Sequence, residues 1–149
     1  MKKIVTWIVI ADGSRARIVA NDGPGKGVRP VPGAEWEGDQ RATREIMADR
    51  EGRGFDGFSQ TRHGMAPQSD PRQLVENAFL NRVVDYLVEN DGKGRFDRLV
   101  LAAEPKALGT LRKALPATLQ RKLHADLPKD LTKIRVDQLA DHLGAILPV

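Results

Sequence analysis

The feature that most constrains the fold is a run of apolar residues near the start of the chain, from Ile4 to Ala11, interrupted only by Thr6. The run is rich in β-branched residues, which favour strands. A continuous apolar strand is typical of the centre of a sheet that is covered on both faces. Turn residues follow at Asp12-Gly13-Ser14, and Arg15 to Ala20 then alternates in polarity. The two strands are therefore predicted to pair as an antiparallel hairpin.

The second half of the chain predicts helices that alternate with strands. Asp70 is a good N-cap and Pro71 a good first helical residue, so a long helix is expected from Pro71 to about Asn90. Its apolar face is predicted to contain Val75, Ala78, Phe79, Val83, Tyr86 and Leu87. The remaining predicted elements are an edge strand within Val28–Trp36, a buried strand at Leu99–Ala103, a helix from Pro105 carrying Leu108, Leu111 and Leu115, a short turn of helix from Pro116 to Arg121, a strand at Lys122–Leu127 and a helix from Val136 to Leu147. Strands that alternate with helices predict an α/β fold, with a mixed sheet, an N-terminal antiparallel hairpin and helices packed on it.

The length and composition limit the possible classes of protein. A chain of 149 residues is expected to form a single domain, 1–149. The absence of cysteine excludes a disulfide framework, a thiolate nucleophile and a cysteine metal site. The three histidines have no metal-binding spacing, so neither a metal nor a cofactor is predicted.

The start of the chain also bears on location. Met1-Lys2-Lys3 followed by the apolar run resembles a short signal peptide. The run is short, however, and ends at Asp12-Gly13-Ser14 without a small-residue cleavage site, which favours a buried strand. No other run approaches the roughly 18 apolar residues that a membrane span needs. The sequence therefore predicts a cytoplasmic protein without a membrane span.

A long polar loop, at about 50–71, precedes the predicted long helix. It is rich in glycine and arginine, and loops of this length inside a domain are usually functional or disordered. Gly52 to Gly57 matches the dinucleotide pattern G-x-G-x-x-G. That pattern requires a preceding strand and a following helix, which are not predicted here, so a nucleotide site is not inferred.

Arginine is the only Lys/Arg type between Lys26 and Lys93. Its planar guanidinium can hold a phosphate or carboxylate through two contacts, which lysine cannot do. The alternative is that these arginines pair with nearby carboxylates, and that a net charge of +4 reflects only a solvated basic surface. On the first interpretation, the residues expected to bind an anionic partner are Arg15, Arg17, Arg44, Arg50, Arg53, Arg62, Lys129 and Lys133.

Gln60, His63 and Asp12 are candidates for catalysis. His63 is a possible general base, and Gln60 and Arg62 would line a site with it on the loop. Asp12 stands where the first strand ends, and it is either an acid at the edge of a site or the residue that stabilises the turn.

Several segments together resemble the bacterial host attachment protein family. They are Val9–Ile18, Asn21–Gly27, Thr43–Glu45, Asp49-Arg50, Arg95–Leu101 and Lys129–Lys133. The resemblance covers nearly the whole chain in order. The family name implies a role in attaching a bacterium to its host cell.

The layout is also similar to the middle domain of archaeal and eukaryotic peptide-chain release factors. That resemblance implies strands, a long glycine-rich loop that reaches the ribosome, a long helix, and then a strand and further helices. Gln60 and Arg62 stand in the region that matches the Gly-Gly-Gln loop of that domain, but the Gly-Gly pair is absent. Its absence argues against peptidyl-tRNA hydrolysis.

Three functional hypotheses follow. The first is a non-enzymatic binding protein whose arginine-rich loop docks an anionic partner such as RNA or the ribosome. The second is a hydrolase of an ester or phosphoester that uses the loop residues. The third is a regulatory module that binds a protein partner and affects host attachment indirectly.

Overall fold

The structure is a computed structural model and describes residues 3–38 and 70–149. Apart from Asp70 and Pro71, the predicted loop 50–71 lies outside these residues. The described elements, in chain order, are strand β1 (Thr6–Ala11), strand β2 (Arg15–Asn21), strand β3 (Arg29–Glu37), helix α1 (Pro71–Gly92), strand β4 (Arg98–Ala103), helix α2 (Pro105–Ala114), helix α3 (Ala117–Lys122), strand β5 (Leu123–Leu127) and helix α4 (Val136–Leu143).

The strands form one mixed sheet in the order β3-β2-β1-β4-β5. β1 and β2 pair in an antiparallel hairpin, and β3 continues antiparallel to β2 at one edge. β4 pairs parallel with β1, and β5 pairs parallel with β4. The predicted α/β fold with a mixed sheet and an N-terminal hairpin is therefore confirmed.

The sheet is covered on both faces because neighbouring residues of its central strands point to opposite sides. Trp7 and Val9 of β1 pack with helices α1, α2 and α3, whereas Ile8 and Ile10 pack with helix α4. The side chains of β4 are divided between the same two faces of the sheet. All of β1 and all of β4 except Arg98 are buried, as the apolar runs predict.

Helix α1 begins as the sequence predicts, but its buried face is rotated relative to the predicted apolar face. The Asp70 side chain accepts a hydrogen bond from the Arg72 N–H at 2.8 Å, and Pro71 is the first helical residue. The buried residues of the helix include Leu80 and Val84, whereas Ala78 is exposed. The predicted face was wrong at these positions because the larger side chains, which bury more apolar area, determine the orientation of the helix.

Other boundaries differ by a few residues. β1 starts at Thr6 rather than Ile4, because the Val5 N–H instead donates to the Asp97 carboxylate at 2.8 Å. α4 ends at Leu143 rather than Leu147, because Gly144 follows and glycine disfavours helix. β3 is an edge strand as predicted, with an irregular register against β2.

Within residues 3–38 and 70–149, no helix combines the length and the apolar composition that crossing a bilayer would require.

We expect truncation of Leu101 to destabilise the fold strongly. Leu101 lies in β4 and is 0% exposed, whereas Leu74 on the outer face of α1 is 56% exposed. Leu101→Ala leaves a cavity in the core and should lower the free energy of unfolding by about 2–5 kcal/mol. Leu74→Ala removes the same atoms from the surface and should change it by less than about 0.5 kcal/mol. Urea unfolding of both variants measures the difference, and equal losses would contradict the described core.

Candidate anion-binding site

Four strands end at the same edge of the sheet, which we call the carboxyl edge. β1, β4 and β5 are parallel to one another, and β3 runs the same way because β2 is antiparallel to both β1 and β3. In open α/β sheets, ligands bind in the crevice beyond the carboxyl ends of the strands. The turn after β1, the segment after β5 and the start of α1 all lie here.

The start of α1 approaches the β1–β2 turn closely. A Cβ atom placed on Gly13 would lie 2.5 Å from the Glu76 carboxyl carbon, so any larger residue here would force the Glu76 side chain to move. The Gly38 N–H, just after β3, donates to the Ser14 carbonyl at 2.5 Å. The chain therefore leaves the described part at Gly38, at the carboxyl edge, and the helix that starts at Pro71 passes the same turn.

The Asp12 carboxylate holds this turn together. Its Oδ1 atom accepts hydrogen bonds from the backbone N–H groups of Ser14 at 2.8 Å and Arg15 at 2.7 Å. Its Oδ2 atom accepts a longer bond from the Thr132 hydroxyl at 3.4 Å. This contact joins the turn to the segment after β5, 120 residues further along the chain.

Two other carboxylates at this edge are also occupied by internal hydrogen bonds. Glu104 caps helix α2 by accepting from the N–H groups of Lys106 at 3.1 Å and Ala107 at 2.7 Å. Asp130 accepts from the Thr132 N–H at 2.9 Å and the Thr132 hydroxyl at 2.6 Å. These carboxylates stabilise turns and caps, as Asp and Glu commonly do where N–H groups lack a backbone partner.

Arg17 anchors the segment after β5 to the sheet. One terminal nitrogen of its guanidinium donates to the carbonyl oxygens of Leu131, at 2.9 Å, and Ile134. Burial lowers the pKa of the Arg17 guanidinium, and the nearby Glu35 carboxylate partly offsets this by raising it. At every pH below this pKa the guanidinium is charged, and burying that charge lowers the stability of the fold. The carbonyl contacts offset that cost.

A cavity of about 420 Å³ lies beside Arg17 on the same face of β2 and β3. It is lined by Arg15, Ala16, Arg17, Glu35, Trp36, Glu37 and Thr132. Arg15 pairs in register with Glu37, and Arg17 with Glu35, so positive and negative side chains face each other across the two strands. The cavity itself is therefore close to neutral.

The cations that are available to a partner lie at the rim of this cavity and beyond it. Arg15, Lys129 and Lys133 are exposed. None of them forms an ion pair with another residue in the described ranges. Lys133 lies in the stretch that Arg17 holds, between Leu131 and Ile134.

The structure brings together five of the residues selected from the sequence. Asp12, Arg15, Arg17, Lys129 and Lys133 all lie at or next to the carboxyl edge. The others are outside the described residues: Gln60, His63, Arg44, Arg50, Arg53 and Arg62. Sequence reasoning missed Glu35, Glu37 and Thr132. The alternating Glu-Trp-Glu of β3 was a signal for the first two, but the irregular register prevented their pairing with β2 from being predicted.

The fold is similar to that of a solved structure. Among solved structures, the crystal structure of an archaeal translation termination factor matches with a TM-score of 0.50 and 14% sequence identity, covering 95% of this chain. The chain corresponds to 38% of that factor's length. The likeness shows a shared fold and no shared activity, since fold does not determine function. The predicted release-factor-like fold is thus confirmed.

The family is established by the sequence itself. A family model described as "Protein required for attachment to host cells" matches residues 7–143. The chain belongs to this family, as the resemblance predicted, and membership indicates a role in host attachment. Among curated proteins there is no significant match.

We expect Arg17 to be needed for the segment after β5 to stay in place. Arg17→Met removes the bonds to two carbonyl groups and should lower the free energy of unfolding by about 1–3 kcal/mol. It should also speed trypsin cleavage after Lys133 and Arg135. Arg15→Met, on the same strand but exposed, is the matched control and should cost less than about 0.5 kcal/mol. Unchanged cleavage in Arg17→Met would show that the segment is held by other contacts.

Proposed function

We propose that this protein is a non-enzymatic binding protein that docks an anionic partner at the carboxyl edge, and that this partner is RNA, free or in the ribosome. The observation that carries the proposal is that the negative side chains at this edge are occupied by internal hydrogen bonds, whereas the positive side chains are exposed. The carboxylates of Asp12, Glu104 and Asp130 accept internal hydrogen bonds. Arg15, Lys129 and Lys133 remain exposed without an ion pair to any described residue.

This arrangement favours binding over catalysis. A general base needs an oxygen or nitrogen within hydrogen-bond reach of the proton that it removes. Both oxygens of Asp12 have hydrogen-bond partners within the protein, and three of its four contacts go to the turn that it closes. Asp12 therefore fits the role of a turn residue better than that of an acid or base.

RNA suits the charge pattern and the fold. Phosphate groups are the anions that scattered lysine and arginine side chains bind most generally, without reading sequence. The structural neighbour is a translation termination factor, which supports an RNA-rich partner by analogy of fold alone. The arginines at 44, 50, 53 and 62, which the sequence also assigns to an anionic partner, lie outside the described residues.

The role of the family in host attachment is then indirect. A protein that binds RNA or ribosomes would affect attachment by changing the synthesis of other proteins. The regulatory alternative assigns the same edge to a protein partner with an acidic surface, and the experiment below separates the two.

We expect neutralisation of the edge cations to weaken RNA binding selectively. The test variant is Arg15→Gln, Lys129→Gln and Lys133→Gln combined. The matched control replaces Lys3, Lys26 and Lys93, which are exposed near the opposite edge, with Gln. Both variants lower the net charge by the same three units from +4. Affinity for labelled tRNA and for ribosomes is measured by fluorescence anisotropy and co-sedimentation across a series of salt concentrations.

The edge variant should lose about 2 from the slope of log affinity against log salt concentration, if each cation contacts one phosphate of a single strand. The control should keep the wild-type slope. Equal losses in both variants would show that only overall charge matters. If wild type does not bind RNA in a salt-dependent manner, but a pull-down recovers one protein without nucleic acid, the RNA proposal is wrong and the regulatory alternative is favoured.

A further inference from the structure

A second groove lies beside strand β5, at the opposite end of the strand order from β3. It has a volume of about 630 Å³, which is enough to hold several side chains of a ligand. We call it the β5 groove. It shares no lining residue with the cavity beside Arg17. Its lining residues are Gly109, Arg112 and Lys113 of α2, Gln120 of α3 and Leu123 of β5.

Strand β5 has a strand neighbour on one side only. Within residues 3–38 and 70–149, it pairs with β4 and with no other strand. Each of its residues keeps some exposure to solvent, whereas β4 is buried except at Arg98. The N–H and C=O groups on the outer side of an edge strand are a template on which a further strand can pair. The outer side of β5 is therefore a place where an extended peptide can join the sheet.

The two edge strands of the sheet differ in the backbone groups that they present. β3 contains Pro30 and Pro32, which have no N–H, and its register against β2 is irregular. Prolines of this kind commonly prevent a further strand from pairing with an edge. β5 contains no proline, so each of its residues has an N–H. Its register against β4 breaks once, at His124, and is regular from Ala125 to Leu127. Of the two edges, that of β5 is the one suited to strand addition.

The contact between Arg112 and Asp126 shows that the groove runs alongside β5. A terminal nitrogen of the Arg112 guanidinium lies 3.4 Å from Asp126 Oδ2. Asp126 is opposite Leu101 in the register, and Leu101 packs on the face of the sheet that α1, α2 and α3 cover. Leu123 packs on the same face. Because side chains alternate along a strand, a strand added to β5 would place every second side chain on the face that carries the groove.

The groove is positively charged. Lys113 is exposed and forms no ion pair with the described residues. The Arg112 side chain is 59% exposed, and exposed ion pairs such as its contact with Asp126 contribute little. Arg112 is therefore available to a carboxylate of a ligand. The sequence has no carboxylate from 105 to 125, so the groove favours an acidic side chain.

We propose that β5 and the β5 groove bind an extended acidic peptide of a protein partner, which adds to the sheet as a sixth strand. The backbone of the peptide pairs with the outer side of β5, and Glu or Asp side chains at every second position lie against Arg112 and Lys113. In strand addition the backbone hydrogen bonds give affinity, and the contacts of alternate side chains give specificity. An RNA strand could use the two cations but not the edge of β5. The inference goes beyond the proposed function, because it concerns another surface and another class of partner, and either can fail without the other.

The test measures the binding of fluorescein-labelled probes to the full chain by anisotropy. The first probe is the amidated peptide Thr-Val-Glu-Val-Glu-Val-Thr, in which alternating valines favour a strand. The second probe has Lys in place of each Glu. The third has the first sequence with a methyl group on every backbone nitrogen, which keeps the side chains but removes every N–H donor. The fourth is a ten-residue oligoadenylate.

The test variant is Arg112→Gln combined with Lys113→Gln. The matched control is Arg29→Gln combined with Lys26→Gln, at the other side of the sheet. In each pair the arginine forms an ion pair with an aspartate, and the lysine is exposed without an ion pair to any described residue. Both variants lower the net charge by the same two units from +4. The comparison of probes on the wild-type protein decides the question if a variant folds poorly.

Wild type should bind the glutamate peptide at least about tenfold more tightly than the lysine peptide and the methylated peptide, which lack the charge and the N–H donors respectively. The groove variant should bind the glutamate peptide about tenfold more weakly than wild type, because two cations are lost. The control should keep the affinity within about threefold, a range typical of surface substitutions. Hydrogen–deuterium exchange should slow in the segment 122–128 when the glutamate peptide is bound.

Three results would overturn the proposal. The first is no binding of the glutamate peptide at concentrations up to about 1 mM. The second is equal affinity of the groove variant and its control. The third is binding of the methylated peptide or the oligoadenylate as tightly as the glutamate peptide, which would assign the groove to polyanions in general. None of these results bears on RNA binding at the carboxyl edge, which the salt series above tests separately.

Discussion

The arrangement of the whole molecule depends on the parallel pairing of β1 with β4. Their register runs without a break from Thr6 opposite Arg98 to Ala11 opposite Ala103. Parallel neighbours need a long crossover connection, and helix α1 lies on that connection and covers one face of the sheet. Helix α4 covers the other face. Together with the antiparallel β1–β2 and β2–β3 pairings and the parallel β4–β5 pairing, the β1–β4 pairing directs the ends of β1, β3, β4 and β5 to one edge, where turns, helix starts and exposed cations meet.

Negative and positive side chains have different roles at the carboxyl edge. Carboxylates accept hydrogen bonds from N–H groups in turns and caps, and the partly buried Arg17 guanidinium donates to two carbonyl oxygens of the segment after β5. The cations that remain point to solvent.

The elements that the sequence predicted correctly are those with local signals. The apolar run of β1, the Asp70-Pro71 helix start and the buried leucines of α2 each follow from neighbouring residues. The role of Arg17 could not be predicted in this way, because its carbonyl partners are 114 and 117 residues away in sequence.

The most direct test of the account is hydrogen–deuterium exchange of the full chain with and without saturating tRNA. We expect slower exchange in peptides that span the β1–β2 turn at Asp12–Arg15 and the segment 128–135, because both border the exposed cations of the carboxyl edge. Peptides from the β2–β3 turn at the opposite edge, around Asn21–Gly27, should exchange at the same rate in both states. Protection confined to that opposite turn, or no protection anywhere, would contradict the assignment of the carboxyl edge as the docking surface.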